Sequence, residues 1–476
     1  MTQVQPDPIE ALVDFATQVD ACMVPPSVLA FQCKRLMDNL GCLAAGYAQS
    51  GVEAALTLAR RWSSCEEARI IGSQERLAAP QAAFVNAVRA RALDYCDVLS
   101  PGWHPSSSDI PIALAAAELT GASGLDMLAA LAVGQDVAQR INLAAQANGF
   151  FYRGFDSNIL GLFSGAVIAA RLLRLDRRAF ADAVGLAFDF GIGTFQHYQD
   201  KTLAVRIGQG LVARHALEAA LLAQAGISGP KRVLSGENGF FNLYAPGKPD
   251  LSLLTHQLGV TFHGEEATCF KLYPHCSILL ALTETLLNAG LHCRLPHLEH
   301  AKISLHASPT MRMVCGAPYE PQNTAEIDAQ FSARYVIANA LLRGRASAQE
   351  FNAQSATDPE VVALAQRIAI HEQPAFERFD RFELHIEPRQ GETLRLAAEF
   401  GRGWPENPAG MQDIREKFLQ CCAQSPCRSM RENAQRLIYC IEELIEAPTL
   451  EPLLSALTEH DRPTNKSLDA NNLAIN

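Results

Sequence analysis

The chain has 476 residues, 48% of them hydrophobic and 19% charged, with a formal net charge of −11. That is length for two or three domains around a large core, and the acidic balance argues against a nucleic-acid groove or an anionic membrane as partner. Met1 to Ala11 carry no basic cluster, and no uncharged apolar run reaches the roughly 18–20 residues that cross a bilayer. The 13 cysteines are scattered without a C-x-x-C, so they read as reduced thiols of a cytoplasmic protein and not as a zinc site or redox dithiol.

In chain order, Asp7 to Gln49 reads as helices broken at Pro25-Pro26, with Leu29, Cys33, Leu36, Leu40 and Leu43 on one face of the second. A helix is expected over Pro80 to Tyr95, where Phe84, Val88, Ala92 and Tyr95 recur at helical spacing. Asp94 and Asp97, three apart, are then expected on one face near its C-terminal end, where negative charge is disfavoured by about 0.3–1 kcal/mol each and calls for a partner. His104-Pro105 follows, with Ser106 to Asp109 as N-cap choices, Pro111 in the first turn and Gly121 as the stop. An imidazole ahead of a helix N-terminus is held towards its neutral form, and with two acids nearby it makes a usable acid/base arrangement. The plainer reading is a solvated helix end with a capping histidine.

Alanine-rich helices are expected over Ile110 to Gly121 and Leu125 to Gln139, and another over Ile159 to Leu175, capped by Asp156, Ser157 or Asn158. Phe188 to Phe195 reads as a glycine-punctuated loop near the site, and a helix starting near Arg206 runs to Ala225. From Ala301 the pattern changes. Ala301 to Ala307, Phe379 to Pro388 and Glu392 to Phe400 read as strands, the last two joined at Arg389-Gln390-Gly391, with helices over Ala329 to Leu342 and Pro359 to Ala369. Met411 to Cys422, Arg431 to Glu446 and Leu450 to Leu457 return to helix, and Arg462 to Asn476 is expected to fray.

The stretch Ala92 to Ser108 (A-L-D-Y-C-D-V-L-S-P-G-W-H-P-S-S-S) resembles the D-F-D-D-…-H-P-S signature of the MmgE/PrpD family, whose members are dehydratases, decarboxylases and epimerases of small polycarboxylates. Other stretches agree with it: Gln81 to Asn86, Arg206 to Gly210 with Ala213-Arg214, Gly226 to Pro230, Val233 to Phe240, the K-x-Y-P-x-C run of Lys271 to Cys276, and Gly403 to Pro408. The resemblance implies a mainly α fold, a large all-helical domain plus a smaller α/β domain inserted before the C-terminal helices, in a homodimer. On this chain the parts are expected at 1–265, 266–402 and 403–476. It also implies work without metal or organic cofactor, and the sequence carries no H-E-x-x-H, no glycine-rich dinucleotide turn and no P-loop.

For the site, the resemblance points to His104 and Asp94 as acid and base, in an order left open, with Asp97 positioning them or serving as acid. Lys271 and Arg206 would hold carboxylates, and Tyr273, Cys276, Asp156 and Tyr319 would complete the substrate pocket. Three departures stand out: Gly154-Phe155-Asp156 where relatives place a histidine, Val205 where they place a lysine, and Cys96-Asp97-Val98 where they have D-D-T. The expectation is a cofactor-free lyase of the dehydratase type acting on a small di- or tricarboxylate. The alternatives are an isomerase or epimerase of a dicarboxylate, and a non-catalytic carboxylate binder.

Overall fold

Alanine and glycine let helices approach closely, and the first half of the chain uses them throughout. The computed structural model, which describes residues 6–100, 102–146, 153–191, 193–293, 300–321, 324–389 and 391–458, is mainly α-helical. Its long helices include Pro26–Gly46, Ala79–Arg91, Pro105–Thr120, Gly124–Gln146, Leu160–Leu172, Arg177–Asp189 and Ala204–Gln224. Ala79–Arg91 packs against Ala204–Gln224, and Gly210 sets how closely they cross: a Cβ there would lie 2.6 Å from Val88 and 2.8 Å from Phe84. One hydrophobic core runs from Ile9 to Phe270 and takes in Ala409 to Leu457, so the C-terminal helices Met411–Gln424, Ala434–Glu442 and Glu451–Ala456 rejoin the body formed by the N-terminal half.

A second core gathers Val205, Leu279, Leu282, Ile337 and Leu341 against a four-stranded sheet. The strand order is Ala369–Glu372, Lys302–Ala307, Phe382–Glu387, Leu394–Ala398, the first pair parallel and the others antiparallel. Phe382, Leu384 and Ile386 turn into this core and alternate with half-buried Glu383, His385 and Glu387. Among the described residues, no helix is long and apolar enough to cross a membrane.

Several local expectations change in the fold. Ala369 opens a strand instead of closing a helix; the helix stops at Arg367, and the next residues pair with Ser304 to Ala307. The helix expected over Ala329 to Leu342 is two, Ala325–Gln330 and Ala333–Arg343, because the Ser332 hydroxyl caps the second by accepting from the Tyr335 N–H at 3.2 Å. Arg431 to Glu446 is likewise divided, into Arg428–Glu432, Ala434–Glu442 and the 3-10 turn Leu444–Glu446. The segment expected to fray, Arg462 to Asn476, and Met1 to Gln5 lie outside the described residues.

Candidate active site

The helix that carries the signature ends at Arg91, not Tyr95. Asp94 then takes a left-handed backbone, φ +49°, which an aspartate tolerates better than most residues. The two acids therefore do not share a helix face; the turn sends them to different partners. Asp94 meets cations: Lys271 Nζ lies 2.9 Å from its Oδ2 and donates to its carbonyl oxygen at 2.8 Å, and Arg91 donates to Oδ1. Asp97 meets Arg35 at 3.0 Å and accepts from the Ser106 hydroxyl at 2.8 Å and the Ser106 N–H at 3.3 Å. Asp97 thus anchors the start of the next helix and is not among the residues lining the pocket.

That helix is Pro105–Thr120. Its N-cap is His104 itself, not a serine, and Pro111 lies inside the helix, beyond the first turn. His104 Nδ1 is 3.0 Å from the Asp97 carbonyl oxygen. A carbonyl only accepts, so Nδ1 carries the proton of the neutral ring and Nε2 keeps its lone pair, 3.7 Å from Asp94 Oδ1.

Lys271 reaches this turn because Val98–Leu99 pairs antiparallel with Thr268–Cys269, Val98 opposite Cys269. Arg35 clamps the ribbon from the Pro26–Gly46 helix by donating to Asp97 on one side and the Thr268 hydroxyl on the other. The Tyr95 hydroxyl donates to the Leu272 carbonyl at 3.0 Å, and Lys417, ion-paired to Asp38 at 2.6 Å, donates to the Tyr95 carbonyl at 2.8 Å. The C-terminal helix Met411–Gln424 thereby holds the turn from behind.

The result is a pocket lined by Asp94, His104, Lys271, Tyr198 and Cys276 and otherwise by largely apolar side chains. Arg91 and Lys271 hold the Asp94 carboxyl well below the usual carboxylate range against the opposing effect of burial, so it is ionised. Burial, with the charges of Arg91 and Lys271, pushes His104 well below its ordinary 6.5, so the imidazole is neutral. Among the described residues, no group of three or more His, Cys, Asp or Glu side chains is arranged to hold a metal ion.

The remaining candidates fall in different places. Cys276 lines the pocket, and a hydrogen bond with Cys315 lowers its thiol pKa while burial opposes the shift. Tyr273 stacks on His275 with ring centroids 5.9 Å apart and does not line the pocket. Arg206 lies on the Ala204–Gln224 helix but outside the lining: it donates to the Ser50 carbonyl at 2.6 Å, Glu326 stands 3.9 Å away, and burial lowers it to about 10. Tyr319 is buried in the second core and donates to the Ala356 carbonyl at 2.7 Å.

Asp156 caps the turn Ser157–Ile159, and His197 Nε2 comes within 3.3 Å of its Oδ2, so an imidazole from elsewhere in the chain stands beside the loop that lacks the family histidine. Sequence reasoning missed Tyr198, the neighbour of His197. Its hydroxyl oxygen accepts from Arg91 Nη2 at 3.1 Å, leaving its own O–H to donate, and burial raises its pKa far above 10. Its only local signal was the loop after Phe188, read as near the site.

The state of His104 is testable by pH. Its folded pKa lies below its unfolded value, so as pH falls through about 6.5 the unfolded chain takes up a proton and the folded chain does not. The wild type should lose up to about 1.4 kcal/mol of stability per pH unit below that point, relative to His104→Asn. Asp38 and Asp109, whose carboxyls burial pushes up to about 6 and about 7, titrate in the same window but cancel between the two proteins. Urea unfolding of both between pH 7.5 and 5 measures the difference; parallel curves rule out the neutral imidazole.

A neutral imidazole thus stands beside a lysine–aspartate pair in a pocket of a mainly helical fold with two cores. The chain belongs to the MmgE/PrpD family: residues 10–252 match the model of the MmgE/PrpD N-terminal domain and residues 268–443 that of the C-terminal domain. It is similar to the cis-aconitate decarboxylase of Mus musculus, 25% identical over 91% of this chain and 90% of that one. The Homo sapiens cis-aconitate decarboxylase is 26% identical over 88% and 89% of the two chains, and the 2-methylcitrate dehydratase of Cupriavidus necator 26% over 79% and 80%.

Proposed function

We propose that the protein is a lyase of the dehydratase type that removes a proton from the carbon next to a carboxylate of a small di- or tricarboxylate. The observation that carries this reading is the His104 imidazole, tied through Nδ1 to the Asp97 carbonyl so that its lone pair sits beside Lys271 and Asp94 at the pocket. The relatives named as a decarboxylase and a dehydratase of tricarboxylates support it.

Lys271 spends two of its three N–H donors on Asp94, which leaves one for a substrate carboxylate. His104 Nε2 takes the proton from the adjacent carbon, and the charge that develops on the carboxylate is stabilised by the ammonium. The Tyr198 O–H delivers a proton to the hydroxyl on the next carbon, which departs as water to leave a carbon–carbon double bond. Arg91 steadies the phenolate that forms. Asp94 stays ionised throughout and keeps Lys271 and Arg91 in place. The reading extends to a cofactor-free cytoplasmic homodimer, which the family resemblance supports.

The experiment is incubation with citrate, 2-methylcitrate, cis-aconitate and malate derivatives in deuterium oxide, read by mass and proton NMR. An unsaturated product formed by loss of water is expected. Deuterium in recovered substrate without unsaturated product makes the enzyme an epimerase instead, and no exchange into any acid sinks the proposal.

A further inference from the structure

We infer that this pocket selects an acid with at most two carboxylates and an apolar branch, in preference to a tricarboxylate; the inference rests on the lyase reading above and narrows it. Among the described residues, Lys271 is the one cationic side chain lining the pocket, and Asp94 beside it cancels its charge. Arg91 adds a positive charge behind Asp94 but does not line the pocket, and its two Nη atoms donate to Asp94 and Tyr198. Arg206 does not line the pocket: its Nη1 donates to the Ser50 carbonyl and its Nη2 stands 3.9 Å from Glu326, and Val205 is buried in the second core. A third carboxylate taken out of water here meets no further cation among the described lining residues, and burying an unpaired charge is strongly unfavourable.

The rest of the lining suits hydrocarbon. Phe195, Ile278, Val314, Phe331, Phe379 and Trp404 all contribute to it. Phe195 stacks on Tyr198 with centroids 4.8 Å apart, Phe331 meets the Tyr198 ring edge-on at 5.5 Å, and Phe379 meets Trp404 edge-on at 4.9 Å. These rings surround the space next to His104 and Lys271, so a branch on the reacting carbon skeleton lies against them. One carboxylate takes the free Lys271 N–H, and a second stays at the mouth in contact with water.

The test is calorimetric titration of the full chain with malate, 2-isopropylmalate, 2-benzylmalate and citrate, with deuterium exchange followed on the same acids. Affinity is expected to rise about fourfold for each methylene buried beyond malate, and citrate to bind at least about tenfold more weakly than 2-isopropylmalate. Thr310→Lys, at a half-buried lining position, adds a cation and should narrow that gap by strengthening citrate more than 2-isopropylmalate. Citrate binding as tightly as 2-isopropylmalate to the unaltered protein overturns the inference, whether or not citrate is turned over. Alkylmalates bound in the expected order but without exchange or elimination leave the specificity standing and overturn the lyase reading. Failure of every acid to bind overturns both.

Discussion

His104→Asn is expected to lower kcat by about 10²–10⁴-fold while KM stays nearly constant. Asparagine is chosen because its amide N–H replaces the Nδ1 donor to the Asp97 carbonyl, and because it is favoured at the N-cap position of the Pro105–Thr120 helix, which His104 occupies without a side-chain capping bond. What it lacks is a basic lone pair at the Nε2 position. The loss therefore reports the proton transfer and not the fold, which circular dichroism and a melting curve check independently. Steady-state turnover with the best acid from the titrations measures it. A variant with wild-type kcat excludes His104 as the base, and a protein that binds acids without turning any over has no base to find.

The second large effect is on stability. Asp94→Asn leaves two fully buried cations, Arg91 and Lys271, facing an amide in place of a carboxylate. Removing one partner of a buried ion pair typically costs about 3–5 kcal/mol, because the remaining charge stays desolvated. Asparagine tolerates the left-handed backbone of Asp94, so the substitution isolates the charge from the turn. Urea unfolding should show the loss, and activity should fall with it because Lys271 then keeps the main-chain carbonyl of residue 94 but loses the carboxylate that fixes its charge. Adding Lys271→Met removes one of the stranded cations, so the double variant should be less destabilised than the two single losses summed. Strict additivity in that cycle means Asp94 and Lys271 are energetically independent and the pocket is not built on their pairing.

The outcome for the signature segment shows where local reasoning stops. Helical spacing runs smoothly through Phe84, Val88, Ala92 and Tyr95, yet the helix ends at Arg91, and Asp94, on the left-handed turn that follows, meets Lys271 from a distant part of the chain. Arg206 shows the opposite limit. Its motif was legible, but the direction of a long side chain depends on what surrounds it, and its Nη1 goes to the Ser50 carbonyl outside the pocket lining. Tyr198 and the aromatic lining carried no motif at all, because their role comes only from which walls the second core presents to His104.

By itself, the order of residues determined the family, the mainly helical class, the antiparallel strands late in the chain, and the candidacy of Asp94, His104 and Lys271. These follow from periodicity, turn chemistry and short motifs, which are local properties of the chain. Only the tertiary structure decided that Lys271 meets Asp94 across 177 positions, that Asp97 serves the helix start, and that the pocket is walled by aromatic rings. Such meetings depend on a two-residue ribbon and on buried charges seeking partners, and neither leaves a periodic trace in sequence.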